Sequence, residues 1–162
     1  MEPRWQTESF TASDGLRLAY VVDDFTDPWT KAPALLLVHA AMGSSRRFYA
    51  WVPHLAREFR VVRMDLRGHG ESGIPGAQQL TLERLALDAV ELLDRLGVER
   101  VHLAGSSAGA VIAQQVAIAH PARVATLALF ASTPGLKHGK QDYGGWVRRI
   151  AAQGVAAFLR ET

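Results

Sequence analysis

Apolar and polar positions follow two different periods along this chain. Ala34-Leu35-Leu36-Leu37-Val38 is an unbroken apolar run, the pattern of a strand covered on both faces. Val61 to Met64, Val101 to Ala104 and Val124 to Phe130 are further candidates of the same kind. Helical patterns lie between them. Leu82, Leu85, Ala86, Ala89, Leu93 and Leu96 form a stripe of helical period, with Thr81 at the N-cap position and Gly97 just past the end. Ala108 to Ala119 is apolar on most sides, which predicts a buried helix stopped by Pro121. Phe48, Trp51 or Val52, Leu55 and Phe59 fit a third helical stripe, with Pro53 tolerable only in its first turn. Ahead of these, Trp5 to Thr11 and Leu16 to Val22 are rich in β-formers and flank Ser13-Asp14-Gly15, a turn signal. They predict a hairpin, followed by a loop from Asp23 to Ala32.

Strand alternating with helix implies parallel pairing through right-handed crossovers. The expected fold is therefore α/β: a doubly wound, mostly parallel sheet with an antiparallel hairpin at one edge. No internal repeat or interdomain linker interrupts it, so residues 1–162 read as a single domain. Residues 1–135 hold the core strands and helices, and 136–162 begin a lid region. There the pattern loosens into a Ser132–Gly135 turn, a polar loop from His138 to Gly145, and two short amphipathic helices, Trp146–Ile150 and Val155–Leu159.

Composition narrows the function classes. With 48% hydrophobic and 21% charged residues, the chain has enough apolar surface to offset its ordering entropy, which excludes a disordered protein. No apolar run approaches a membrane span of roughly 18 residues, and Met1 to Gln6 have no basic-then-apolar leader. The absence of cysteine excludes disulfides, thiolate metal sites and a cysteine nucleophile. A cytoplasmic location is expected. A net charge of +2 from 18 basic and 16 acidic residues is too balanced for a nucleic-acid binder. No histidine pair has metalloprotease spacing and no phosphate-binding glycine loop is present, so neither metal nor cofactor is expected.

The sharpest chemical signal is Gly105-Ser106-Ser107-Ala108-Gly109. It follows an apolar strand and opens a helix, the context in which G-x-S-x-G is informative. A tight turn there lifts the Ser107 hydroxyl above the carboxyl end of the sheet, where ligands bind in open α/β sheets. The Ala108 amide, at a helix N-terminus, would face a developing oxyanion. The plain alternative is a tight strand–helix turn with a capping serine. Two further segments converge on the same edge. Val38-His39-Ala40-Ala41-Met42-Gly43-Ser44-Ser45 follows the first buried strand. Asp65-Leu66-Arg67-Gly68-His69-Gly70-Glu71-Ser72-Gly73 follows the second, with glycines for a compact turn and an expected local Asp65–Arg67 ion pair.

Taken in order, VHAAMGSS, MDLRGHGESG and LAGSSAGAVIAQQVAIAHPARVATLALF resemble the amino-terminal part of an α/β-hydrolase, from about Leu16 to Phe130. The short uninterrupted core is similar to the 3-oxoadipate enol-lactonase-like and small esterase members. The resemblance implies that Ser107 is a nucleophile and that the amides of Ala41 and Ala108 form an oxyanion hole. His39, Gly43, Asp65, Arg67, Gly105 and Gly109 are its supporting positions. It implies a small acyl substrate (ester, lactone or thioester), with C–C cleavage and cofactor-free peroxidase chemistry as relatives' alternatives. A haloalkane dehalogenase is disfavoured, because that chemistry uses an aspartate where Ser107 stands.

Four departures stand out. The family's first loop reads His-Gly, but here it is His39-Ala40, and alanine does not take positive φ freely. Ala108 is small where a large residue is common, and Ala110 replaces a frequent glycine. The largest departure is the triad, whose acid and histidine should follow the nucleophile in the chain. After Ser107 only His120, His138 and Asp142 are available. His120 is expected as an exposed helix-terminal residue. A Ser107–His138–Asp142 triad is disfavoured, since a base must be held and oriented. His39 and His69 are expected to organise loops, His54 to sit on a helix surface and His102 on a strand. The triad acid and base are therefore expected on the order of 80–100 residues of further strands, helices and lid. The 162-residue chain alone is expected to be inactive or nearly so, and to self-associate through the apolar edge 124–130. The competing reading is a non-catalytic truncated chain, pseudo-enzyme or small-molecule-binding module on the same fold.

Overall fold

Six strands form one sheet in the order β1-β2-β4-β3-β5-β6 in the computed structural model. The structure describes residues 6–132 and, beyond them, Gly145, Arg149 and Ala152. β1 (Glu8–Thr11) and β2 (Arg17–Asp23) make the predicted hairpin, and Gly15 takes φ +84° in its turn. β2 also runs antiparallel to β4 (Arg60–Met64). β3 (Ala34–Val38), β4, β5 (Val101–Ser106) and β6 (Val124–Phe130) are mutually parallel. β2 reaches one residue into the expected loop because Asp23 pairs with Val61.

Burial on both faces explains the unbroken apolar run of β3, but not that of β6, most of whose described residues are exposed because only β5 flanks it. Along β3, Ala34, Leu36 and Val38 point into one apolar cluster and Leu35 and Leu37 into the other. The larger cluster is roofed by α2 (Leu82–Arg95) and α3 (Ala108–Ala119). The Thr81 hydroxyl caps α2 by accepting from the Arg84 amide, and Gly97 past its end takes φ +65°.

The smaller cluster corrects one expectation. The stripe from Phe48 to Phe59 does not form one helix. A 3₁₀ turn spans Ser45–Phe48 and a four-residue helix, α1, spans Val52–Leu55, with Pro53 in its first turn. The stripe still faces inward: Phe48, Val52 and Ala56 are buried, with Leu55 and Phe59 packed beside them. Burial selects the face, and Pro53 limits how far a helix can extend on its amino-terminal side.

β6 pairs with β5 on one side, and no described strand covers the other. Leu127, Leu129 and Phe130 are 38–43% exposed. Apart from Arg149, the expected lid helices, with His138 and Asp142, lie outside the described residues. No described helix is long and apolar enough to cross a membrane.

Candidate active site

The carboxyl ends of β3, β4 and β5 bring three loops to one edge. The strand–helix turn after β5 is the tightest. Gly105 pairs with Val38 across the sheet. A β-carbon on Gly105 would meet the Ala110 α-carbon at 2.6 Å, and one on Gly109 would meet the His39 carbonyl oxygen at 2.5 Å and fall still closer to that of Val38. The helix start is thus packed directly on the end of β3. Between the two glycines, Ser107 adopts φ +52°, ψ −114°. A non-glycine residue in such a region stores about 1–3 kcal/mol. The surrounding contacts hold it there: the Ser107 amide donates to the Phe130 carbonyl at 2.8 Å, and the Ser107 carbonyl accepts from Ala110 and Val111. Its side chain makes no capping hydrogen bond and the residue is exposed. The capping-serine alternative therefore does not describe this turn.

The loop after β3 is organised by two histidines. His39 is fully buried. Its Nε2 accepts from the Leu66 amide at 3.0 Å, so Nδ1 carries the proton and donates to the Ala40 carbonyl at 2.7 Å. The same carbonyl accepts from the Gly43 amide. His69 Nε2 accepts from the Met42 amide at 3.2 Å, and its Nδ1 donates to the Arg67 carbonyl at 3.1 Å. Both rings spend both nitrogens on the backbone, which leaves neither free to take a proton from Ser107. Ala40 is accommodated because the left-handed residue of this loop is Met42, at φ +58°. The amides of Ala41 and Ala108 have no hydrogen-bond partner among the described residues.

Burial holds the His39 pKa below the ordinary 6.5; the Ala40 carbonyl opposes the shift and the His69 and Arg47 charges add to it. Unfolding returns the ring to water, where it binds a proton more readily. Its contribution to stability is complete above pH 6.5 and is lost as pH falls through the folded-state value. Urea midpoints at pH 7.5, 6.0 and 5.0 are expected to decline, and His39→Gln to flatten that decline. Equal slopes in the two proteins would exclude His39 as its source.

The third loop corrects another expectation. Asp65 and Arg67 do not pair with each other. The Asp65 carboxylate accepts from the Ser45 amide at 2.6 Å and the Glu71 amide at 2.9 Å, joining two loops. Gly70, at φ +53°, leaves the space that carboxylate occupies. Arg67, fully buried, instead forks onto Asp88 of α2 at 2.6 and 2.7 Å and reaches Asp14 of the hairpin turn at 2.8 Å. The strand ends at Met64 and the chain turns at Arg67, so Asp65 is directed to the loop after β3 and Arg67 to α2 and the hairpin turn. Burial opposes the Arg67 charge, but the Asp88 and Asp14 hydrogen bonds outweigh it and raise its pKa.

A cleft of about 220 Å³ opens at this edge. Phe48, Trp51 and Phe130 form its apolar wall, and Ser106, the residue before Ser107, lines it. Trp51 stacks edge-on with both phenylalanines at 5.3 Å between ring centres. Sequence reasoning missed this wall, because Phe130, at the end of a distant strand, meets Phe48 and Trp51 only in the folded chain. The remaining described histidines lie elsewhere. His54 is exposed on α1 and His102 contacts Thr126 on β6. His120 caps α3 and is half-buried rather than exposed.

Comparison with known proteins matches this arrangement. The profile of the α/β hydrolase fold matches residues 33–158. A 3-oxoadipate enol-lactonase 1 from Acinetobacter baylyi is 30% identical over 134 residues, covering 81% of this chain and 48% of that protein. A pimeloyl-[acyl-carrier protein] methyl ester esterase from Aeromonas hydrophila is 35% identical over 104 residues, 64% of this chain and 39% of the relative. The crystal structure of a hydrolase from Pseudomonas aeruginosa PA01 superposes with a TM-score of 0.79 at 36% identity, covering 91% of this chain and 52% of that one. The chain spans about half the length, or less, of the relatives it matches. On its profile match, strand order and strand–turn–helix geometry, this chain belongs to the α/β hydrolase fold family.

Proposed function

We propose that this chain carries the nucleophile and oxyanion hole of a serine-dependent hydrolase acting on an ester, lactone or similar acyl bond. The observation that carries the reading is Ser107, exposed and held at φ +52° on the turn that begins α3. Its Oγ attacks the substrate carbonyl carbon and gives its proton to a base. The tetrahedral oxyanion accepts from the Ala41 and Ala108 amides, aided by the positive end of α3. Collapse breaks the bond to the leaving oxygen, which takes the proton, and leaves an acyl-serine. Water then attacks that ester, returns a proton to Ser107 and releases the acid. The names of the lactonase and esterase relatives support this substrate class.

The base and its orienting acid are not among the described residues, since His39 and His69 are committed to backbone bonds. The 162-residue polypeptide is therefore expected to show negligible turnover on an ester and lactone panel. Oxyanion-hole and binding effects alone supply about 10³–10⁴-fold over water in a complete enzyme. A fluorophosphonate is expected to modify Ser107 slowly and incompletely, with no adduct in Ser107→Ala and an unchanged one in Ser106→Ala. An adduct mapping to another residue would refute the nucleophile assignment. Rapid stoichiometric labelling would overturn the predicted inactivity.

A further inference from the structure

Among the described residues, one charged group at the wall of the cleft beside Ser107 is not used by the reaction. Arg47 lines the cleft together with the aromatic residues. Its δ-carbon lies over Gly43, so near that a β-carbon there would meet it at 2.9 Å. That contact fixes the stem of the side chain against the loop bearing the Ala41 amide. Neighbouring Arg46 is already paired with Glu71 at 3.3 Å. The Arg47 guanidinium makes no hydrogen bond or ion pair among the described residues. Most other arginines near this edge are committed: Arg63 forks onto Asp23 and Arg67 onto Asp88. Among the described residues, no carboxylate lines the cleft.

We propose that Arg47 is a specificity-determining residue that selects acyl substrates bearing a carboxylate on the acyl part. This rests on the reading that the cleft beside Ser107 holds the substrate. The aromatic wall of Phe48, Trp51 and Phe130 takes the apolar portion of the acyl chain. The guanidinium takes its charged end, as a planar fork suited to two carboxylate oxygens. The positive end of α3 adds to the same field. An apolar wall beside the cation thins the water around the pair, which strengthens it relative to a fully exposed pair.

The test is equilibrium binding, which needs no turnover. Monomethyl glutarate and dimethyl glutarate are matched in length and differ in one negative charge at pH 7.5. Their dissociation constants for the 162-residue chain can be read from chemical-shift titrations. The chain is expected to bind the monoester about tenfold more tightly, a single charge-assisted contact in a half-open site. Arg47→Met should abolish that preference while leaving the dimethyl ester's affinity unchanged. Arg47→Lys should retain part of it, and raising NaCl from low to high concentration should erode it. Ser107→Ala should keep the preference in full, so failure of the nucleophile assignment would not imitate failure of this one. Equal affinity for the two esters in the unaltered chain, or a preference that persists in Arg47→Met, would overturn the proposal.

Discussion

Replacing Gly109 with alanine is expected to destabilise the chain by at least about 3 kcal/mol. The added methyl would fall on the carbonyl oxygens of Val38 and His39. Both belong to backbone, one at the end of a buried central strand and one at a fully buried histidine, so neither can yield as a flexible side chain can. The chain must separate α3 from β3 to admit the methyl, and that opens the larger apolar cluster. For a domain of this size the midpoint of thermal unfolding should fall by roughly 6–12 °C. Gly76→Ala is the matched control. Gly76 has φ −68°, and its nearest neighbour would lie 3.7 Å from the new carbon. It should change stability by no more than about 0.5 kcal/mol. Urea unfolding followed by tryptophan fluorescence compares the two directly. Similar stability of the two variants would mean that the glycine is dispensable for the approach of α3 to β3.

Arg67→Met is expected to cost about 3–5 kcal/mol, because it strips a buried carboxylate of its main partner. Asp88 is fully buried on the inner face of α2. It would keep only Arg84, at 2.9 and 3.1 Å. Removing both members of the pair should restore most of the loss. The Arg67→Met/Asp88→Leu double variant is expected to be more stable than Arg67→Met alone. A coupling energy above about 1.5 kcal/mol is expected for groups in one network. The deficit should persist in 1 M salt, since buried pairs are screened little. Strictly additive losses would show that the pair is not a coupled unit. Acid sensitivity gives a second readout. The Arg67 hydrogen bond holds the Asp14 pKa below its ordinary 3.8. That contribution is present above pH 3.8 and lost as pH falls through the folded value, so Arg67→Met should lessen the decline there.

The apolar runs at Ala34–Val38 and Val124–Phe130, and the helix Ala108–Ala119, were legible residue for residue. Each is local: a run of one period between strong breakers. The helix expected around Phe48–Phe59 was less legible, because its inward face was readable but its backbone was not. The same division runs through the site. Ser107 and its flanking glycines announce themselves by spacing, since a tight strand–helix turn needs small residues there. The partners of Arg67 do not. Asp88 lies within the apolar arc of α2, three residues past Leu85, and a carboxylate at that position was the only hint of a buried pair.

By itself, the sequence determined the order of strands and helices, the turn that carries Ser107 and the two loops that accompany it. These follow from periodicity and from steric demands within a few residues. Only the tertiary structure decided which carboxylate neutralises Arg67, why His39 and His69 cannot serve as the base, and which aromatics line the cleft. Those outcomes depend on groups far apart in the chain. They compete for a limited number of buried hydrogen bonds and contacts, and spacing along the sequence does not encode which partner wins.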